Sequence, residues 1–239
     1  AMVVHTQGKE YVVSKVGTGG KSKASVIVER GIIETLPKHL SGIPSLRGEQ
    51  EEKNWASYST DFIKGKSPGR ADDAQVMALL NDWVAVADPV PLGETKQWIA
   101  VMKEANRQSA TDIWAKLSDA FSVGVMSGVF HGDFAPWNIK MSREGYLNVL
   151  DWEHGSSAGP AGWDWLHYLI QRAILVDKLS AWCALDLCRK WAATKQGKHF
   201  LAKTGWGEQV ELWIGTYLAY SSWIAGFDRK ELITAWMGK

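Results

Sequence analysis

Residues His131 to Glu153 constrain this chain more than any other stretch. They read HGDFAPWNIK, then MSREGYLNV, then LDWE. Asp133 and Asn138 stand five apart, and Asp151 follows Asn138 by thirteen. Tyr146 to Leu150 has the character of a short strand, and Arg143-Glu144-Gly145 is a turn signal. A hairpin is therefore predicted that carries Asp151 back over the loop. A loop carboxylate such as Asp133 can orient a hydroxyl and take its proton. The amide oxygen of Asn138 and the carboxylate of Asp151 are hard, small donors of the kind Mg²⁺ accepts. H-x-D alone is common; two Asp and one Asn at these spacings, around a Gly-containing turn, are specific together. A buried turn, with His131 and Asp133 merely satisfying backbone groups, would leave Asn138 and Asp151 unexplained.

With those residues in view, the segment resembles the aminoglycoside phosphotransferase and choline kinase superfamily, the small-molecule relatives of protein kinases. Those enzymes typically carry HGD where protein kinases carry HRD. Leu150-Asp151-Trp152-Glu153 is similar to the corresponding element of choline-kinase-like and thiamine-kinase-like members. Gly159-Pro160 followed by Trp163-Asp164-Trp165-Leu166 resembles their downstream element, whose Asp helps hold the catalytic loop. The resemblance implies an α+β, bilobal, protein-kinase-like fold with a reduced N-terminal β lobe and a mainly helical C-terminal lobe. It implies ATP and Mg²⁺ as cofactors, Asp133 as catalytic base, Asn138 and Asp151 as metal ligands, and His131 and Asp164 as loop support.

Tyr11 to Val16 alternates as a strand and runs into Gly17-Thr18-Gly19-Gly20. A helix-like segment follows from about Lys23 to Leu36, although Val26-Ile27-Val28 is β-branched and also suits a strand. In the resemblance Lys15 is the lysine that contacts the α- and β-phosphates, and Glu29 is its helix partner. Read alone, Lys15 is an ordinary strand lysine. Gly17 to Ser22 suggests a phosphate-binding P-loop, but that motif needs Gly at position 15, where this chain has Lys. A plain strand-to-helix connection remains, or one whose N–H groups help hold phosphates. Only fourteen residues precede Lys15, too few for the Gly-rich lid that usually covers ATP. The chain is thus trimmed at its start or its first lobe is reduced. Arg47 to Asn54 reads as a polar turn, and Trp55 to Asp61 as a strand. The lobe boundary is placed at 63/64, with 1–63 as nucleotide-binding lobe and 64–239 as helical catalytic and acceptor-binding lobe. Backbone groups of Thr60, Asp61, Phe62 and Ile63 are expected to read adenine.

Helical periodicity appears over Ala71–Val86, Glu94–Arg107 and Thr111–Ser127, the last with Ile113, Leu117, Phe121 and Val125 in one row. It returns after Asp164, over Leu179–Ala193 and over Glu208–Ala225. The net charge of +1 implies neither nucleic acid nor a membrane surface as partner. Two cysteines, Cys183 and Cys188, read as thiols of a reducing, cytoplasmic compartment.

The expected partner is a small-molecule hydroxyl acceptor: an amino alcohol, a sugar or an aminoglycoside-like compound. Trp137, Trp152 and Glu153 are candidate acceptor contacts, since aromatic faces attract quaternary ammonium groups and stack on sugars. From His131 onward there are 11 Asp and Glu against 12 Lys and Arg, no acidic excess for a polycation. A catalytically weak binding module is the alternative that the missing lid suggests. If the hairpin forms, Asn138 and Asp151 should face one cleft. Asp133 should be open to solvent without a salt bridge, and Asp164 should be buried against the loop backbone.

Overall fold

A computed structural model describes residues 1–7, 10–108 and 111–238. By contact the chain forms two compact units, Ala1–Asp82 with Pro136–Ser157, and Trp83–Ala135 with Ala158–Lys239. The first unit thus extends past the predicted 63/64 boundary and takes back a later segment.

The first unit is built on a four-stranded antiparallel sheet in the order β1-β2-β4-β3. Its strands are β1 (Met2–Gln7), β2 (Glu10–Thr18), β3 (Leu46–Glu51) and β4 (Trp55–Asp61). In β4 the alternation is legible residue by residue: Ala56, Tyr58 and Thr60 are buried while their neighbours are half-exposed. The polar run after Leu46 turns only at its end, Glu52 to Asn54; up to Glu51 it is an edge strand, where charged side chains can stay in water and discourage further pairing.

Helix α1 (Gly20–Thr35) follows β2 directly. The β-branched triplet at 26–28 is helical because Val26, Glu29 and Ile33 fall on one buried face. Gly19, at φ +75°, makes the strand-to-helix turn, a conformation that suits a residue without a Cβ. Gly17 lets β2 and α1 approach closely: a Cβ there would lie 2.1 Å from the Ser22 carbonyl oxygen. Helix α2 (Asp73–Trp83) follows the sheet. The returning segment is the predicted hairpin, β5 (Ile139–Met141) with β6 (Leu147–Val149), in register Ile139↔Val149.

The second unit is mainly helical. Its helices are α3 (Lys96–Gln108), α4 (Thr111–Leu117), α5 (Trp163–Gln171), α6 (Ala181–Ala193), α7 (Lys195–Lys203), α8 (Val210–Trp223) and α9 (Lys230–Met237). The predicted row through Phe121 and Val125 fails: α4 stops at Leu117, Phe121 is exposed, and Gly124–Val125 is a short strand. Trp163 and Trp165 have no exposed surface and pack against Tyr220 and Tyr168, with ring centroids at 5.1 and 5.2 Å. The Trp206 and Trp213 indoles donate to the carbonyls of Ala161 and Gly162 at 2.8 and 3.2 Å, fixing the entry to α5. No helix among the described residues is long and apolar enough to cross a membrane.

The approach of β2 to α1 gives a direct test. Replacing Gly17 by Ala should destabilise the protein by about 1–3 kcal/mol, because backbone must move to admit the methyl group. The shift in urea midpoint at constant slope measures it.

Candidate active site

The first unit concentrates charge on one buried point. Glu29, in the apolar face of α1, is 1% exposed. A carboxylate so placed must be compensated. Lys15 Nζ lies 2.6 Å from Glu29 Oε2 and also 2.6 Å from Asp151 Oδ1. Glu29 Oε1 accepts the Trp152 backbone N–H at 2.9 Å. Burial and the Glu29 carboxylate push the Tyr58 phenol well above its ordinary range. Burial lowers the Lys15 pKa, but the bonds to Asp151 and Glu29 outweigh it, and the net shift is upward. The ammonium is therefore held in its charged form.

Lys15, Glu29, Asn138 and Asp151 line one cavity of about 360 Å³, together with Val13, Tyr58, Thr60 and Trp137. Sheet register explains the first wall: Lys15 pairs with Tyr58 and Val13 with Thr60. The hairpin explains the second. Leu150 N–H donates to Asn138 O at 2.8 Å, closing the ladder at the level of Asn138. The next residue, Asp151, turns into left-handed backbone at φ +65°. Its side chain is held by Lys15 and remains 43% exposed. An amide oxygen and a carboxylate bordering the same cavity are a donor set that fits Mg²⁺, which is bound by one or two carboxylates plus substrate phosphates.

The other first-unit expectations divide. Thr60 lines this cavity, but Asp61 is paired to Arg47 at 2.6 Å. The Phe62 N–H donates to Tyr11 O at 3.1 Å, so that donor is already engaged in the sheet. Ile63 lines a smaller cavity of about 150 Å³ beside Asn148. Trp152 forms part of the main cavity wall but has no exposed surface, and its indole donates to Val149 O at 2.9 Å. It offers no face to an acceptor. Glu153 accepts from Ser25 Oγ at 2.8 Å and is engaged with α1. Trp137 is 40% exposed and does present a ring.

The His131-Gly132-Asp133 triplet belongs to the second unit. Gly132 adopts φ +80°, which brings two consecutive N–H groups onto one carboxylate. His131 N–H donates to Asp164 Oδ2 at 2.8 Å and Gly132 N–H to Asp164 Oδ1 at 3.0 Å. Burial pushes the Asp164 carboxyl up to about 7, against the pull of those two bonds and with a further push from Asp133. Asp133 is 20% exposed and is not open as expected: His167 Nε2 stands 2.8 Å from its Oδ1. His167 is the residue that sequence reasoning missed. It lies in a helix buried along its whole length, and its only signal is three-residue spacing from Asp164.

No family model matches the sequence, and no curated protein matches it. Solved structures do. A choline kinase from Streptococcus pneumoniae matches at 15% identity and TM-score 0.58, over 99% of this chain and 86% of that one. The chain has a protein-kinase-like fold. A thermostable mutant of an aminoglycoside phosphotransferase, in ternary complex with ADP and hygromycin B, matches at 13% identity and TM-score 0.58, over 99% of this chain and 90% of that one. An aminoglycoside phosphotransferase from Streptomyces rimosus matches at 12% identity and TM-score 0.53, over 92% of both chains. Likeness at these identities establishes the bilobal α+β architecture that the HGD segment implied.

Two expected outcomes follow from the charges. Lys15→Met leaves Glu29 buried without its cation and should cost about 3–5 kcal/mol in denaturant unfolding. Adding Glu29→Gln should recover part of that loss. For Asp164, a folded-state pKa near 7 means that the folded chain holds a proton the unfolded chain has released between about pH 4 and 7. Its contribution to stability therefore declines as pH rises through that window. The stability advantage of wild type over Asp164→Asn, measured by urea titration at several pH values, should shrink from pH 4 to 7.

Proposed function

We propose that the protein is a Mg²⁺-dependent phosphotransferase that moves the γ-phosphate of ATP to a hydroxyl of a small molecule. The observation that carries this reading is the Glu29–Lys15–Asp151 ion cluster on the wall of a cavity that Asn138 also lines. A lysine held charged by two carboxylates is suited to bind phosphate at a fixed point. In this reading Lys15 holds the α- and β-phosphates and Glu29 holds Lys15. Thr60 borders the nucleotide. Asn138 and Asp151 hold Mg²⁺, which when bound neutralises phosphate charge.

Asp133 is then the base. It orients the acceptor hydroxyl and takes its proton as the new O–P bond forms and the bond to ADP breaks. The chain ties Asp133 to Asn138, five residues on. His131 and Asp164 keep the loop in shape. The energetic work is mostly positioning and charge stabilisation. For the acceptor, the fold's likeness to a choline kinase and to a phosphotransferase complexed with hygromycin B supports an amino alcohol, sugar or aminoglycoside-like compound. The ring of Trp137 is suited to a cationic or sugar-like group.

ATP turnover against choline, ethanolamine, thiamine, amino sugars and aminoglycosides tests the reading. Asp133→Ala should lower turnover by about 10²–10⁴ while Mg·ATP still raises the melting temperature by mass action. Unchanged turnover would remove Asp133 from the reaction. A wild-type melting temperature indifferent to Mg·ATP would remove the nucleotide site.

A further inference from the structure

One turn of α5 grips the whole HGD triplet. Asp164 takes the His131 and Gly132 N–H groups, and His167, three residues on, reaches the Asp133 carboxylate. His167 is itself held from behind. Tyr217 Oη, on α8, lies 3.0 Å from His167 Nδ1. Arg229 Nη2 lies 3.4 Å from that phenol, and Arg229 Nε lies 3.3 Å from Ser221 Oγ. All four side chains in this chain of contacts, His167, Tyr217, Ser221 and Arg229, are buried, at 7% exposure or less.

The direction of the hydrogen bonds follows from what each group can give. Arg229 only donates, so the Tyr217 oxygen accepts from it. Of the phenol's remaining neighbours, His167 Nδ1 at 3.0 Å is a stronger acceptor than the Ser221 hydroxyl, so the single phenol proton is assigned to Nδ1 and that nitrogen is the bare one. That leaves the imidazole proton on Nε2, aimed at Asp133 Oδ1, and an ionised carboxylate only accepts. Burial raises the Tyr217 pKa, with Arg229 opposing, so the phenol keeps the proton the chain requires. The Gln171 carboxamide nitrogen is placed 3.1 Å from the same Nε2. Amide nitrogen and oxygen are interchangeable in such an assignment, and with the oxygen inward Gln171 shares the Nε2 proton.

We propose that His167 is a positioning residue for Asp133, held in its Nε2–H tautomer by Tyr217 and Arg229, so that the carboxylate meets the acceptor hydroxyl in one orientation. The catalytic half of this proposal rests on the phosphotransfer reading; the tautomer lock does not. A buried polar chain satisfied at each step is rigid, whereas one left half-satisfied is costly. Rigidity at Asp133 matters because a misplacement of about 1 Å in a reacting group can cost on the order of 10²-fold in rate.

The test uses the full chain and two readouts. Long-range ¹H–¹⁵N spectra of the histidine side chains, with His167→Gln to assign the signal, should report protonated Nε2 and bare Nδ1 at His167. Tyr217→Phe should release the lock and give mixed tautomers. A protonated Nδ1 in wild type would overturn the proposal. The second readout is ATP hydrolysis with water as the acceptor. His167→Phe should lower kcat by about 10–10²-fold, with the ATP KM and the Mg·ATP-induced rise in melting temperature unchanged. His167→Gln, whose amide N–H can replace Nε2–H, should restore most of it. If the Phe variant does not fold, His167→Asn serves in its place, since its shorter amide cannot reach Asp133; it should show the same loss, about 10–10²-fold. Equal rates for the Gln and Asn variants, or a loss confined to KM, would reduce His167 to a packing role. Wild type with the expected tautomer but no turnover, with water or with any acceptor of the panel above, would end the kinase reading and leave the lock supported.

Discussion

The first unit depends on one buried carboxylate. Glu29 sits among the apolar residues of α1, where an uncompensated charge would cost several kcal/mol. Its compensation comes from three directions: Lys15 on β2, the Trp152 backbone beyond β6, and Tyr58 on β4. Helix, sheet and hairpin are therefore brought together by a single polar requirement. The apolar contacts around it are non-directional and could be made in many ways. The bonds to Glu29 can be made in few, and they set the spacing of the cavity wall.

Asp164 plays the matching part in the second unit. It is buried in the first turn of α5, where the helix dipole favours negative charge. Its two oxygens take consecutive backbone N–H groups, so the loop conformation is imposed by geometry and not by packing alone. The tryptophan-rich core serves this end. Trp206 and Trp213 are large apolar groups with one donor each, and both donors go to the two residues that precede α5.

The sequence was most readable where partners are close along the chain. The hairpin between Asn138 and Asp151 is local, marked by a turn signal and short apolar runs. Lys15 and Glu29, fourteen apart, were paired only through the family resemblance, since Lys15 alone reads as an ordinary strand lysine and the segment around Glu29 also suits a strand. His167 was not readable. It stands in an unbroken buried helix, where a polar residue carries no pattern of its own, and its partner Tyr217 is fifty residues further on. The turn after Leu46 was read too long, at the expense of an edge strand, because charge usually marks turns. The row through Phe121 was misread because periodicity does not see that Gly124 begins a strand. The engagement of the Phe62 N–H was not readable either, because its partner Tyr11 lies on a strand fifty-one residues earlier.

The first unit is discontinuous, and this imposes an order on its making. The Lys15–Glu29 pair can form as soon as α1 has been synthesised. The Asp151 partner of Lys15 arrives 136 residues after it, when much of the second unit's chain has already emerged. Domains that are contiguous can fold in succession as they leave the ribosome. This unit cannot: until Trp152 has been made, Glu29 lacks the backbone N–H that it accepts. The nascent chain must keep a half-compensated carboxylate solvated while it waits. The last strands of the first unit, not its first, decide when it becomes a finished structure.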